Sequence, residues 1–590
     1  MRKSRHTLLC PIVGIGMIAV GTAAATSADA ATAACTTAAV TALALPSNVS
    51  ITAATPIAAV AGTATVAGKP AFCQVTGNVN TDGEGAGPGQ AAFQMDLPEF
   101  WNGKFLFLGG GGLDGNGVLA DGTAQELAKG YATSSTNSGH PVGSGTFAIT
   151  DIGVPNEPAI IDYFYRARHE VTVASKAIVK AFYDARKISY AYYDGCSNGG
   201  RQGLMEASRF PNDYDGIVSG APWMDPLGTE LWTVKNTRAL LQAFIPPTLF
   251  PQLTAAILAS CDTVDGVQDG LIQNPAKCAF NPDTLVPSVL TQAQSDAIKT
   301  ILAPVTDSSG HLIYPGSSVS DLFSVQITFD ENATPAPNPT APQPWTVPPA
   351  TGTTGAPGNW GLAYGIINYL GYYDPNIDLN SDYFEDNGVI SDVTRILLYS
   401  RLGLDLADDP AKFAAYIGKG KKLLMYHGYS DPIISPYRTV LFYESLAGMN
   451  GGYSQLQQSV RLFMAPGVSH CGGGIGPNVF GNGAEPPGYP VDAQHDVLSA
   501  LEDWVENGNA PSSIIASHYV AGAATPTVDR TMPLCPFPAE ARYNGLGDVN
   551  DAASWTCTHN TALLQTGVNG REAGVDGPAN QPNFPADVLR

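Results

Sequence analysis

The chain has 590 residues, 30 Lys and Arg against 52 Asp and Glu, and a formal net charge of −22. That acidic surplus excludes nucleic acid and anionic membrane as electrostatic partners. The length points to more than one folding unit, and 64 Gly with 45 Pro point to long ordered loops rather than a helical bundle.

Residues 1–30 read as a secretory signal. Arg2, Lys3 and Arg5 form a basic start, Leu8 to Ala25 is largely apolar, and Ala28-Asp29-Ala30 is a small-residue cleavage site. A membrane anchor is the rival reading, but Pro11 and several Gly interrupt the apolar stretch. No later segment has the length and hydrophobicity of a membrane span. Of nine Cys, Cys10 lies in the signal. The even remainder suits the oxidising surroundings of a secreted protein, extracellular or periplasmic.

Residues 31–222 are expected to form the first part of an α/β catalytic domain, opening with a β segment in which Cys35 and Cys73 are free to pair. Lys104 to Leu108 has a buried-strand pattern and runs into Gly109-Gly110-Gly111-Gly112. Between Ile161 and Tyr183 apolar residues recur at helical spacing. A strand (Ile188 to Asp194), a sharp turn, a helix (Gly199 to Ser208) and another strand (Ile217 to Ser219) follow. Residues 223–420 are too long for an ordinary strand–helix connection and are expected to form an inserted lid, with its own Cys261 and Cys278 and a Pro-rich run from Ala333 to Pro357. Residues 421–590 return to the catalytic domain with strands at Lys422 to His427 and Val460 to Met464, then an amphipathic helix from Val491 to Val505. No internal repeat is present.

The chemistry-bearing turn is Gly195-Cys196-Ser197-Asn198-Gly199, a G-x-S-x-G match set between strand and helix as a nucleophile elbow requires. A hydroxyl is a poor nucleophile unless a neighbouring base takes its proton. The alternative is a Gly-rich turn that matches by chance. An acid and then a base should follow Ser197 in the chain. His140, His169 and His311 come too early, and His427 precedes the candidate acid, which leaves His470, His495, His518 and His559. His470 follows the last sheet-like strand, whereas His495 falls within the expected helix. Asp431, just past a strand end, would hold the imidazole tautomer; otherwise it is a turn aspartate before Pro432. Asp405, Asp408 and Asp409 compete for that role but precede the strand.

Cys196 adjoins Ser197 and Cys471 adjoins His470, so a disulfide between them would clamp nucleophile to base. The oxyanion of acyl transfer needs preorganised N–H donors. The backbone of Asn198 is one candidate and Gly111, in the glycine run, is the other, a flexible turn being its alternative. Asp262, Asp265 and Asp269 fall in one Gly-containing loop, and with the carbonyls of Val267 and Leu271 they offer hard oxygen ligands suited to calcium. A solvated acidic turn is the other reading of that loop.

These motifs together resemble the tannase and feruloyl esterase family, which includes hydrolases of mono(2-hydroxyethyl) terephthalate. The likeness lies in Tyr192 to Gly203, Phe210 to Gly216, Cys261 to Leu271, His427 to Asp431 and Ser469-His470-Cys471. It implies an α/β-hydrolase fold with a large inserted lid, a Cys196–Cys471 disulfide, and a structural Ca2+ in the lid held by Asp262, Asp265 and Asp269. It also implies that Cys35–Cys73, Cys261–Cys278 and Cys535–Cys557 pair as neighbours. The expected activity is hydrolysis of small aromatic esters of feruloyl or galloyl type, carried on a plant polymer or free. A terephthalate-monoester hydrolase is the alternative, and a non-catalytic polyphenol- or carbohydrate-binding protein is the rival from another class. Trp345, Trp360, Tyr364 and Tyr369 are candidates for an acyl pocket or, equally, for lid core.

Overall fold

The computed structural model describes residues 35–560, except 64–67, 116–123, 244, 308–309, 311, 321–357, 378, 380–390, 403–406 and 484. The expected signal, His311, Trp345, Asp405 and the Pro-rich run lie outside the described residues, as does the side chain of Trp360.

A nine-stranded sheet organises the chain. Its strands are β1 (Val49–Ile57), β2 (Phe72–Gly83), β3 (Ala86–Pro98), β4 (Lys104–Leu108), β5 (Ala132–Thr136), β6 (Tyr190–Cys196), β7 (Gly216–Gly220), β8 (Lys422–Gly428) and β9 (Val460–Ala465). They lie in the order β1-β2-β3-β5-β4-β6-β7-β8-β9. β1, β2, β3 and β5 pair antiparallel, and every pairing from β5 through β4 to β9 is parallel. The helices that concern the site are α1 (Ala167–Phe182), α2 (Asn198–Arg209), α3 (Pro226–Gln242), α4 (Pro436–Met449) and α5 (Val497–Asn507).

Period-two alternation sorts the strand side chains onto two faces. Phe105, Phe107, Tyr193, Ile217, Leu423 and Met425 join α1, α2 and α4 in one buried cluster. Leu106, Tyr192, Val218, Leu424 and Phe463 join Leu498, Leu501 and Trp504 of α5 in a second. Central parallel strands covered on both faces read as unbroken apolar runs, which is why Lys-Phe-Leu-Phe-Leu reads as a strand. Each such fully buried Phe or Leu contributes about 1.5–3 kcal/mol of transfer free energy.

Two expected elements differ from those observed. The helix near the C-terminal end begins at Val497, not Val491, because Asp496 caps it by accepting from the Ser499 amide. His495 therefore precedes the helix, and its Nδ1 lies 2.8 Å from Asp492 Oδ1. The stretch expected as one helix over Ile161 to Tyr183 starts with a short α-helical turn, passes through a π-helical segment at Asp162–Arg166, and continues as α1. Arg166 Nε lies 2.7 Å from Asp162 Oδ1 within that segment, and both side chains are buried.

Between β7 and β8 the described residues add helices and one two-stranded ribbon but no strand of the main sheet. Trp223, Trp232, Ile366 and Leu398 of this insertion belong to the same buried cluster as Phe105 and Phe107, so one apolar core spans both parts. Two small antiparallel ribbons, Ile514–Tyr519 with Val528–Leu534 and Ala539–Tyr543 with Trp555–His559, complete the C-terminal part. Disulfides join Cys35 to Cys73, Cys261 to Cys278 and Cys535 to Cys557. Among the described residues, no helix is long and apolar enough to cross a membrane.

Candidate active site

Ser197 follows β6 directly and begins α2, with φ 64° and ψ −124°. A non-glycine residue at positive φ is strained, and such strain concentrates where a side chain must stand clear of a turn. The turn is crowded by backbone: a Cβ at Gly195 would come within 2.8 Å of Gly199, and one at Gly200 within 2.3 Å of the Gly220 carbonyl. Any side chain there would push α2 off the sheet.

The candidate acid and base, Asp431 and His470, follow adjacent parallel strands at their carboxyl ends. His427 on β8 is level with Met464 on β9, so the Gly428 to Asp431 turn and the loop to His470 emerge side by side. They are pinned together by the Tyr429 amide on the Ala465 carbonyl and the Ser430 amide on the Val468 carbonyl, each at 2.9 Å. Asp431 is buried, at 1% exposure, and all its acceptor positions are used. Its Oδ1 accepts from the amides of Ile433 and Ile434 at 2.8 and 3.0 Å. Its Oδ2 lies 2.7 Å from His470 Nδ1 and 3.1 Å from His427 Nε2. Burial alone would raise this carboxyl, but the His470 charge and hydrogen bonds from both imidazoles hold it well below the ordinary carboxylate range. Because an ionised carboxylate only accepts, His470 carries its proton on Nδ1 and leaves Nε2 as a base.

Cys196 and Cys471 are joined by a disulfide, with Cα atoms 5.8 Å apart across 275 residues of chain. Ser197 and His470 are thereby neighbours through their adjacent residues. Among the described residues His470 bonds Asp431 and makes no hydrogen bond to Ser197, a looseness common before substrate tightens such a site. Of the four candidate histidines only His470 meets Asp431. His518 Nδ1 lies 2.6 Å from Asp529 and His559 ends the last strand. Asp408 pairs with Arg438 and Asp409 caps the turn at Pro410–Phe413, so neither is available to His470.

The glycine run lies over α2. The Gly109 amide donates to the Asp194 carbonyl at 2.8 Å and the Gly110 amide to Gln202 Oε1 at 3.1 Å. Among the described residues the amides of Gly111 and Asn198 have no acceptor, which leaves them available to an incoming oxygen. Asp114 locks this loop to the helix and had no recognisable sequence signal: its carboxylate accepts from Ser138 Oγ, Asn198 Nδ2 and Gln202 Nε2. Leu362 Cδ2 comes within 3.7 Å of where a Gly112 Cβ would stand, so the insertion reaches the glycine run. Tyr364 and Tyr369 meet edge to face at 5.7 Å, and the Tyr364 hydroxyl is taken by the Pro375 carbonyl.

In the acidic loop, Asp262 Oδ1 accepts from the Asp269 and Gly270 amides at 3.1 and 3.0 Å. Asp265 Oδ2 is buried and accepts no hydrogen bond. Burial, with Asp269 and Asp262 crowding it, pushes the Asp265 carboxyl up to about 7. The carbonyls of Val267 and Leu271 accept no hydrogen bond among the described residues. Asp269, however, shares its Oδ2 with Arg530. Asp265 Oδ1 accepts from the Val267 amide at 3.0 Å, which leaves Oδ2 as its one unpartnered oxygen, the kind a hard cation would take; the Arg530 pairing draws Asp269 aside.

Comparison with known proteins gives the family and the fold. A family model described as tannase and feruloyl esterase matches residues 73–558. An uncharacterized esterase of Xanthomonas campestris pv. campestris is 32% identical over 550 residues, covering 88% of this chain and 90% of its own. The mono(2-hydroxyethyl) terephthalate hydrolase of Piscinibacter sakaiensis is 29% identical, covering 85% of this chain and 87% of its own. The crystal structure of feruloyl esterase B from Aspergillus oryzae superposes with a TM-score of 0.72 at 26% identity, covering 87% of this chain and 97% of its own. The frame is an α/β-hydrolase fold, the chain is a carboxylic ester hydrolase, and it belongs to the tannase and feruloyl esterase family.

Proposed function

We propose that the chain is a secreted serine esterase that cleaves feruloyl- or galloyl-type aromatic esters through a covalent acyl-enzyme. Ser197 Oγ attacks the ester carbonyl carbon as its proton passes to His470 Nε2, and Asp431 steadies the resulting imidazolium. The amides of Asn198 and Gly111 receive the developing oxyanion. Collapse breaks the ester C–O bond, the alcohol leaves with the proton from His470, and water repeats the sequence on the acyl-serine. The single observation that supports this reading is the disulfide between Cys196 and Cys471, the chain neighbours of Ser197 and of His470, together with the His470–Asp431 hydrogen bond. Four disulfides and the basic, apolar, Ala-x-Ala start support export. In the same reading Asp262, Asp265 and Asp269 with the Val267 and Leu271 carbonyls hold a calcium ion, which supplies charge balance for a crowded acidic loop. A terephthalate monoester is the second substrate reading, favoured by the 29% identical relative whose name states that activity.

Ser197→Ala should lower turnover of methyl ferulate, methyl gallate and the terephthalate monoester by about 10⁴-fold or more while leaving the unfolding midpoint in place. A fluorophosphonate should label Ser197 of the parent alone, as mapped by mass spectrometry. Retained hydrolysis, or an adduct on another residue, rejects the assignment, and the rank order over the three esters decides between the substrate readings.

A further inference from the structure

We propose that His427 is a positioning residue of this site, one that shares Asp431 Oδ2 with His470 and thereby sets how strongly the carboxylate holds the base. This rests on the Ser197, His470, Asp431 reading above. His427 is wholly buried at the carboxyl end of β8. Its Nε2 lies 3.1 Å from Asp431 Oδ2 and 3.2 Å from the Ile434 carbonyl, and its Nδ1 lies 2.8 Å from Thr439 Oγ1 on α4.

Both partners of Nε2 only accept, so Nε2 carries a proton, and the rotatable Thr439 hydroxyl can pair with Nδ1 as donor or acceptor. The ring is thus held at both nitrogens with Nε2–H aimed at Asp431. The two amides on Oδ1 already orient the carboxylate. What His427 adds is a second donor on the very oxygen that His470 uses. A hydrogen bond to an ionised acceptor drains charge from it, so two imidazoles compete for one lone-pair region. Among the described residues, the groups whose charge acts on Asp431 are these two imidazoles, from β8 and from the loop after β9. From α4, the Thr439 hydroxyl is the group that meets the His427 ring.

A ring that merely filled space would affect folding and leave the chemistry of His470 untouched. A ring that shares Oδ2 has a signature in the rate profile. Removing its donor concentrates the carboxylate's charge on His470 and favours the imidazolium, so the acid limb of kcat/KM should move to higher pH. His427→Phe should move that limb upward by about one pH unit and lower kcat by about tenfold, with KM nearly unchanged. His427→Gln, whose side-chain amide can place an N–H toward Asp431, should keep the limb at its parental pH and most of the rate. Thr439→Val, which releases Nδ1 with little change of volume, should move the limb the same way by a smaller amount. Should the Phe variant fail to fold, the Thr439→Val profile decides: a limb left at the parental pH overturns the proposal, as does an unmoved limb in a folded Phe variant. Ser197→Ala is run in parallel. If it stays active, the triad reading falls; if it is dead while the His427 and Thr439 profiles are parental, only the role of His427 falls.

Discussion

At the scale of single residues, chain order and strand context nominate Ser197, Asp431 and His470, each past an apolar run ending at the sheet's carboxyl edge; the structure brings Asp431 to His470 and links the neighbours of Ser197 and His470. The same reasoning set His427 aside as a base and could not show its contact with Asp431, since a strand end and a turn give four-residue spacing no fixed geometry. Asp114 was equally hidden: three donors converge on it from residues 24 to 88 positions away. His140, excluded by order, turns out to be buried and stacked on Phe147 at 3.7 Å between centroids, with Nδ1 on the Val142 carbonyl. Burial lowers its imidazole to about 4, so it stays neutral in the fold. The unfolded chain binds a proton near the ordinary value of about 6.5 that the folded chain refuses, so this group costs stability as pH falls from about 6.5 to 4. Replacing His140 with Phe should flatten the parental slope of unfolding free energy over that window by about 3 kcal/mol in total. Urea unfolding at several pH values reads it, and parallel slopes for the two proteins refute it.

At the scale of elements, the central strands and α2 were legible because burial on both sheet faces writes continuous apolar runs and the elbow demands glycines. Other elements escaped that reading, two of them for identifiable reasons. The β2–β3 hairpin turns through Glu84-Gly85, both at positive φ, and the Gly- and Ala-rich start of β3 carries little apolar contrast. The start of α5 was placed early because its capping aspartate was read as part of the helix. The paired loops of the site rest on one covalent link. Ser197 and Cys471 both adopt positive φ, at 64° and 61°, so each loop end is strained on its own. Closing a 275-residue loop removes about 5.6 kcal/mol of unfolded-chain entropy in the chain-entropy account. Changing Cys196 and Cys471 together to Ala should lower the melting temperature and cut kcat/KM by about tenfold or more through a misplaced base. A variant that melts earlier but turns over at the parental rate would show the link to be structural alone.

At the scale of the whole molecule, sequence reading expects an inserted lid between two parts of a catalytic domain but cannot see how the C-terminal ribbons reach back to the loop at Asp262 to Leu271. Arg530, on the Val528–Leu534 strand, pairs with Asp269 across 261 residues. Leu271 packs with Met532, Cys535 and Trp555 in a small buried cluster. The same Leu271 presses on the loop that carries the base, since a Cβ at Gly467 would meet its Cδ2 at 2.7 Å. The acidic loop is therefore a bracket between insertion, C-terminal ribbons and His470. Calcium bound there would relieve the crowding that raises the Asp265 carboxyl and stiffen all three together. Stripping the purified protein with EGTA should lower its melting temperature, and calcium, not magnesium, should restore it. Hydrogen exchange should quicken at residues 262–271 and 466–476 together, with a parallel fall in kcat/KM. Asp265→Asn should reproduce the stripped state and make the protein indifferent to the chelator. An untreated protein that neither binds calcium nor changes its exchange on chelation would leave Arg530 as the loop's own cation, with Asp269 serving as its partner rather than as a ligand.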